Sequence, residues 1–233
     1  QKKYMSKYSK HTDIEAVMLK AEADLSGIEA KYQNYLDKQT VPDSLLVEVK
    51  DCLVNIRSAL DYLWCKVPDV GTGSHFPSAN SQVDFSNKTA GIDKKYIDVV
   101  EKWQSYNGDP WLKNFGYIRN KNVHLTLVPQ TRQETKEFSV KNANSGVTMR
   151  GVTFSGKGTV TINLGGVSVP IDMKTEFPAN VSGVDIERKI WVDFLFDGSS
   201  ISLDFPENVS ALPFLKQSFT NAKTIISGVE KVI

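Results

Sequence analysis

The spacing of apolar residues changes twice along this chain, and that constrains the fold more than any other feature. From Asp13 to about Val128 apolar side chains recur every three or four residues, the period of a half-buried helix. From Lys136 to Phe205 they alternate, the period of a strand, with glycine punctuation at Gly151, Gly156, Gly158, Gly165-Gly166 and Asp197-Gly198. The last twenty residues return to helical spacing. A helical run followed by a strand run predicts an α+β protein rather than an alternating α/β sheet. The expected layout is a basic tail over 1–12, a four-helix bundle over 13–130, and an antiparallel β-sheet or sandwich over 135–233 closed by a C-terminal helix.

Within the helical half, Asp13 to Lys38 carries the stripe Ile14, Val17, Met18, Ala21, Leu25, Ile28, Tyr32. Val41-Pro42 breaks it. Asp43 or Ser44 then starts a second helix to about Val67, striped by Leu45, Val49, Cys52, Leu53, Ile56, Leu60 and Leu63. The two should form an antiparallel hairpin. Residues 71–91 are polar and rich in Gly, Ser and Asn, and read as a long loop. Lys94 to Tyr106 reads as a third helix. Asn107-Gly108-Asp109-Pro110 stops it and starts a fourth, which runs to about Leu127. At least five strands are expected between Lys136 and Phe205, with a hairpin at Asp197-Gly198.

Composition narrows the function classes. The chain has 233 residues, of which 40% are apolar and 24% charged, which is ordinary for a globular protein and excludes a disordered one. Net charge is +1, so no global attraction for nucleic acid is visible and no DNA specificity follows. No apolar run is long enough to span a bilayer as a helix. Cys52 and Cys65 lie 13 residues apart on one predicted helix, about 20 Å, beyond disulfide reach. Two free thiols and a reducing, cytoplasmic setting are expected. Gln rather than Met at position 1 suggests a processed or artificial start. The sequons at Asn87, Asn180 and Asn208 carry little weight. Lys2, Lys3, Lys7 and Lys10 read as a solvated basic tail.

The chemistry concentrates on the predicted fourth helix. No phosphate-binding glycine loop, H-E-x-x-H or G-x-S-x-G is present. Arg119, Asn120, Lys121, Asn122 and His124, however, place five hydrogen-bonding side chains within six residues. Arg119 offers a planar fork suited to phosphate, and His124 an acid/base with an unperturbed pKa near about 6.5. Lys113, Lys121 and Asn122 are candidate substrate contacts beside them. Arg57 and Asp61, four apart on the second helix, read as an ion pair; the alternative is that Asp61 or Asp51 orients His124. His75 reads as a satisfied loop histidine and His11 as incidental. Trp103, Tyr106, Trp111, Phe115 and Tyr117 read as core, or alternatively as stacking surfaces for bases.

Arg119-Asn120 followed by His124 at the end of a bundle helix resembles the R-x(4–6)-H signature of the HEPN superfamily. Residues 13–130 also resemble a group of uncharacterised bacterial proteins through Leu53-Val-Asn55-Ile-Arg57-Ser58-Ala59-Leu60-Asp61-Tyr62-Leu63, Phe76-Pro77 and Trp103-Gln104-Ser105-Tyr106. The HEPN resemblance implies a metal-independent endoribonuclease or RNA-binding protein, working as a homodimer without a cofactor. It implies His124 as general acid/base, Arg119 as phosphate clamp and Asn120 as positioning group. Two other readings stay open. Arg119 pairs with an acid such as Asp61 and His124 caps helix carbonyls; or the protein is non-catalytic, a structural dimer or a binder using its β-domain for protein or carbohydrate.

Overall fold

The computed structural model describes residues 10–36, 38, 40–153, 160–172, 175–202, 205–206 and 209–233, with 10–12, 153 and 172 described by backbone alone. Residues 1–9 of the expected basic tail, the side chain of His11, and Phe154 and Leu203 of two expected strands lie outside the described residues; residues 10–12 of that tail open α1 instead. The fold is α+β: helices α1 (Lys10–Gln33), α2 (Asp43–Trp64), α3 (Gln82–Lys88), α4 (Lys94–Glu101), α5 (Trp111–His124) and α6 (Ala211–Glu230) accompany seven strands. The strands are β1 (Gln130–Asn142), β2 (Thr148–Thr153), β3 (Thr161–Leu164), β4 (Val167–Asp172), β5 (Phe177–Pro178), β6 (Val184–Phe196) and β7 (Val209–Ser210). They form two antiparallel sheets of strand order β2-β1-β6-β7 and β3-β4-β5.

The chain divides into two compact units: 1–131 with 194–233, and 132–193. This corrects the expected boundary, because the C-terminal helix belongs to the helical unit and not to the strand-rich one. Periodicity reports that α6 has a buried face but not what covers it. That face, including Phe214, Leu215, Ala222, Ile225 and Val229, joins the core built by Ile28 of α1, Leu53, Ile56 and Leu60 of α2, and Phe115 and Ile118 of α5. Trp111 Nε1 donates to Ser218 Oγ at 2.9 Å, tying α5 to α6. Gly228 lets α6 approach α4: a Cβ there would stand 2.9 Å from Val99 Cγ1.

Other boundaries shift for local reasons. α1 ends at Gln33 and α2 at Trp64, each finishing in turns rather than running on to 38 and 67. The polar stretch 71–91 contains α3, capped by Ser81 Oγ, which accepts from Asp84 N at 3.2 Å; Phe85 is its sole buried residue. The third predicted helix stops at Glu101 and gives way to turns, and a single 3-10 turn at Ser105–Asn107 precedes the predicted Asn107–Pro110 break. After Asp197-Gly198, β6 pairs with β7 at Leu195↔Ser210 and Phe196↔Val209, and Ile201 and Ser202 are not in a strand.

The second unit has its own core. Phe138 and Val140 of β1 meet Leu164, Val169, Ile171 and Phe177 from the other sheet. The β3–β4 hairpin turns through Gly165 and Gly166 at φ +56 and +88; a Cβ on Gly165 would lie 2.5 Å from Ser145 Oγ, so only glycine fits.

Candidate functional site

Arg57 and Asp61, two of the residues singled out from the sequence, meet one loop, residues 75–79, between α2 and α3. Asp61 and Arg57 lie one turn apart on α2, so both side chains leave the same face of the helix. Asp61 Oδ1 accepts from the Phe76 amide at 2.7 Å and from Arg57 Nη2 at 3.0 Å. Arg57 Nη2 also donates to the Phe76 carbonyl at 2.8 Å. Phe76 is buried edge-to-face on Trp64, ring centroids 6.1 Å apart, which anchors the loop from the apolar side.

A second clasp comes from Gln104, which is fully buried. Its Oε1 accepts from the Ala79 amide at 2.8 Å, and its Nε2 donates to the Pro77 carbonyl at 3.1 Å and the Val100 carbonyl at 3.3 Å. Ser105 Oγ adds a donor to the Ala79 carbonyl at 3.1 Å. The Arg57/Asp61 helix, Phe76-Pro77 and Gln104-Ser105 are therefore mutual partners.

The clasped loop brings His75 to Asp61. Nδ1 of His75 stands 3.2 Å from Asp61 Oδ2. A neutral His75 that donates from Nδ1 to this carboxylate presents Nε2 as its acceptor. Arg57, Asp61, His75, Ser78, Arg119 and Asn120 line one cavity of about 350 Å³, floored by Phe115 and Gly116. That is within the range of small-ligand sites. Burial pushes the Arg57 guanidinium below its ordinary value; Asp61 opposes the shift and the neighbouring Arg119 charge adds to it. The Arg57 charge is retained even so, because arginine does not deprotonate in proteins.

Arg119 is the less committed of the two guanidiniums. Its Nη1 donates to Asn120 Oδ1 at 3.0 Å, it has no ion pair among the described residues, and its buried Nε has no partner among them. The alternative in which Arg119 pairs with Asp61 is therefore not the one adopted: Asp61 is taken by Arg57, His75 and the Phe76 amide.

His124 is exposed, is not among the residues lining the cavity, and makes no hydrogen bond or ion pair with a described residue. Neither Asp61 nor Asp51 orients it: Asp61 holds His75, and Asp51 pairs with Lys50 at 3.3 Å. It caps no helix carbonyl either; the Lys121 carbonyl accepts from the amides of Leu125 and Thr126. Asn122 is no substrate contact, being buried with Oδ1 accepting from the Val128 amide at 2.8 Å, which fastens the chain leaving α5. Lys113 lies 5.5 Å over the Tyr117 ring, and neither it nor Lys121 lines the cavity. Sequence reading missed His75 as a site residue, and no spacing in the sequence marks its contact with Asp61. Of the aromatics, Trp111 and Phe115 are core, with Trp103 packed edge-on to Trp111.

Among the described residues no group of three or more His, Cys, Asp or Glu is placed to hold a metal ion. No helix among them is long and apolar enough to cross a membrane. Comparison with known protein families, with curated proteins and with solved structures finds no match.

Proposed function

We propose that the helical unit is a HEPN-like RNA-cleaving module whose phosphate site is the Arg57/Arg119 cavity. The observation that carries this reading is a guanidinium, Arg119, free of carboxylate partners and sharing a cavity with a second guanidinium and a carboxylate-held imidazole. Two planar cations suit a phosphodiester, whose charge they follow as it grows at the non-bridging oxygens. The helical character of this unit, whose longer helices are α1, α2, α5 and α6, supports the reading, although α6 lies outside the 13–130 segment that carries the resemblance. The setting we assign is cytoplasmic, and the assembly a homodimer through the helical unit.

The chemistry follows from the placement. His75 Nε2 takes the proton of a ribose 2′-hydroxyl as its oxygen attacks the adjacent phosphorus. The P–O2′ bond forms, the P–O5′ bond breaks, and the departing 5′ oxygen takes a proton from solvent. The products are a 2′,3′-cyclic phosphate and a 5′-hydroxyl end. Arg119, with Arg57 beneath it, holds the phosphate, and Asn120 orients the Arg119 fork. In this scheme His75 supplies the base and solvent the acid, and no step calls on a metal.

The deciding experiment incubates mixed RNA with purified protein in excess EDTA and compares His75→Ala, His124→Ala and Arg119→Ala. Loss of cleavage in His75→Ala and Arg119→Ala, with His124→Ala active, is the expected pattern. Loss in His124→Ala alone would restore His124 as the acid/base. No cleavage by the parent protein would favour a non-catalytic role. A specific observation supports that second reading: among the described residues, every side-chain hydrogen bond that Arg57 and Asp61 make outside α2 goes to the 75–76 loop, as a purely structural clasp would. In that case the exposed Trp191 of the strand-rich unit, whose Nε1 donates to Glu137 at 3.2 Å, offers a platform for carbohydrate or protein.

A further inference from the structure

A second cavity of about 490 Å³ adjoins the phosphate cavity, and the two share Arg57, His75 and Ser78 as a common wall. Their linings differ in chemistry. The first has two guanidiniums, the Asp61 carboxylate that Arg57 pairs with, an imidazole, a hydroxyl and an amide around a small floor. The second is walled on its apolar side by Trp64, Val70, Ala90 and Ile92, with Asp69 and Lys88 among its polar groups. Lys88 is held in place, donating to the Ser78 carbonyl at 2.7 Å and to Asp84 at 2.8 Å. Asp69 is one of two non-glycine residues with left-handed backbone among those described, at φ 66. Such a conformation is sparsely populated for residues other than glycine, and it fixes the path of the cavity wall.

We infer that the second cavity is a nucleobase position, so that the two cavities together take one nucleotide: base against Val70, Ala90 and Ile92, and phosphate on Arg57 and Arg119. This rests on the phosphate reading above and adds to it a substrate class, a nucleotide with its base unpaired and unstacked. A flat heterocycle suits an apolar wall, and its polar edge suits one carboxylate and one ammonium. A base inside a duplex cannot enter such a cavity, so single-stranded RNA is the expected substrate. The shared wall also gives His75 a purpose at the junction, where the ribose linking base to phosphate must lie.

The test titrates the full chain with inorganic phosphate and with the four ribonucleoside 3′-monophosphates, followed by calorimetry. Ala90 is exposed, so Ala90→Trp fills the base cavity without removing core packing. At least one nucleotide should bind tenfold or more tighter than phosphate. Ala90→Trp should abolish that advantage while leaving phosphate affinity within twofold. Arg119→Ala should weaken phosphate and nucleotide alike. Circular dichroism on each variant confirms the fold, and Val70→Trp replaces Ala90→Trp if the latter fails to fold. Nucleotides that bind no tighter than phosphate, or an advantage that survives the filled cavity, would overturn the base position and leave the phosphate site standing. Absence of binding by phosphate and nucleotides alike would overturn the phosphate reading, and this inference with it.

Discussion

Replacing Gln104 with alanine should loosen the loop that carries His75 and Ser78, and the size of the effect can be worked from its bonds. Gln104 is fully buried and makes three hydrogen bonds, to the Ala79 amide, the Pro77 carbonyl and the Val100 carbonyl. The Val100 carbonyl keeps a second partner in the Trp103 amide at 3.1 Å, so losing that bond matters least. The Ala79 amide is left without its side-chain acceptor in a buried segment, at about 1–3 kcal/mol, and the Pro77 carbonyl loses its donor, at about 1 kcal/mol. With some lost packing the total is about 3 kcal/mol. For a folding unit of this size that lowers the melting temperature by roughly 6–12 °C. Calorimetry measures the shift, and hydrogen exchange reads its location: the Ala79 amide should lose protection, while the Phe76 amide, held by Asp61, keeps most of its own. Asn107→Ala is the control, since Asn107 is exposed, and should move the midpoint little. A Gln104→Ala melting temperature within about 2 °C of the parent, or unchanged exchange at Ala79, would refute the clasp.

Four further outcomes are expected. Burial pushes the Cys52 thiol up to about 12, so at pH 8 iodoacetamide should leave it unmodified until the chain is denatured. Because the folded value lies above the ordinary value of 9.0, its contribution to stability is complete below about pH 9 and lost as pH rises towards 12; Cys52→Ala should flatten the alkaline fall seen in denaturant melts. Asn122→Ala should cost about 1–2 kcal/mol in urea unfolding through the Val128 amide, with phosphate affinity unchanged. Gly165→Ala should cost about 1–3 kcal/mol and register as lost protection across the β3–β4 hairpin, because the positive φ and the approach of Ser145 both oppose a Cβ. Light scattering should give twice the chain mass at micromolar concentration; a monomer would remove the homodimer.

What the residues disclosed depends on the range of the interaction. The stripes of α1, α2, α5 and α6 are local patterns and each became a helix, and most of the alternating runs after Lys136 that are described became strands, Ile201-Ser202 being the exception. α3 was hidden because seven residues with one buried side chain, Phe85, cannot display a period. The partner of α6 was hidden because a stripe records burial without naming the neighbour. At the site, Arg119 and Asn120 were legible as a polar cluster on a helix end. His75 was not, because the contact to Asp61 joins a helix to a loop 14 residues away, and nothing in the spacing announces it. Asn122 misled for the opposite reason: it looks like its solvent-facing neighbours but turns inward to hold the next segment.

The interruption of the helical unit by residues 132–193 sets an order of events on the ribosome. Translation proceeds at about 5–20 residues per second, so roughly 5–20 s separate the emergence of Thr131 from that of the end of α6. Throughout that interval α1 and α2 are out of the exit tunnel with the apolar surface meant for α6 uncovered. The strand-rich segment between them suffers no such wait, since its core draws only on its own residues. The part of the chain made in the middle is thus able to finish first, and the part begun first must finish last. The hairpin of α1 and α2 is where nascent-chain chaperones, or a second copy of the chain on the same message, find their opening.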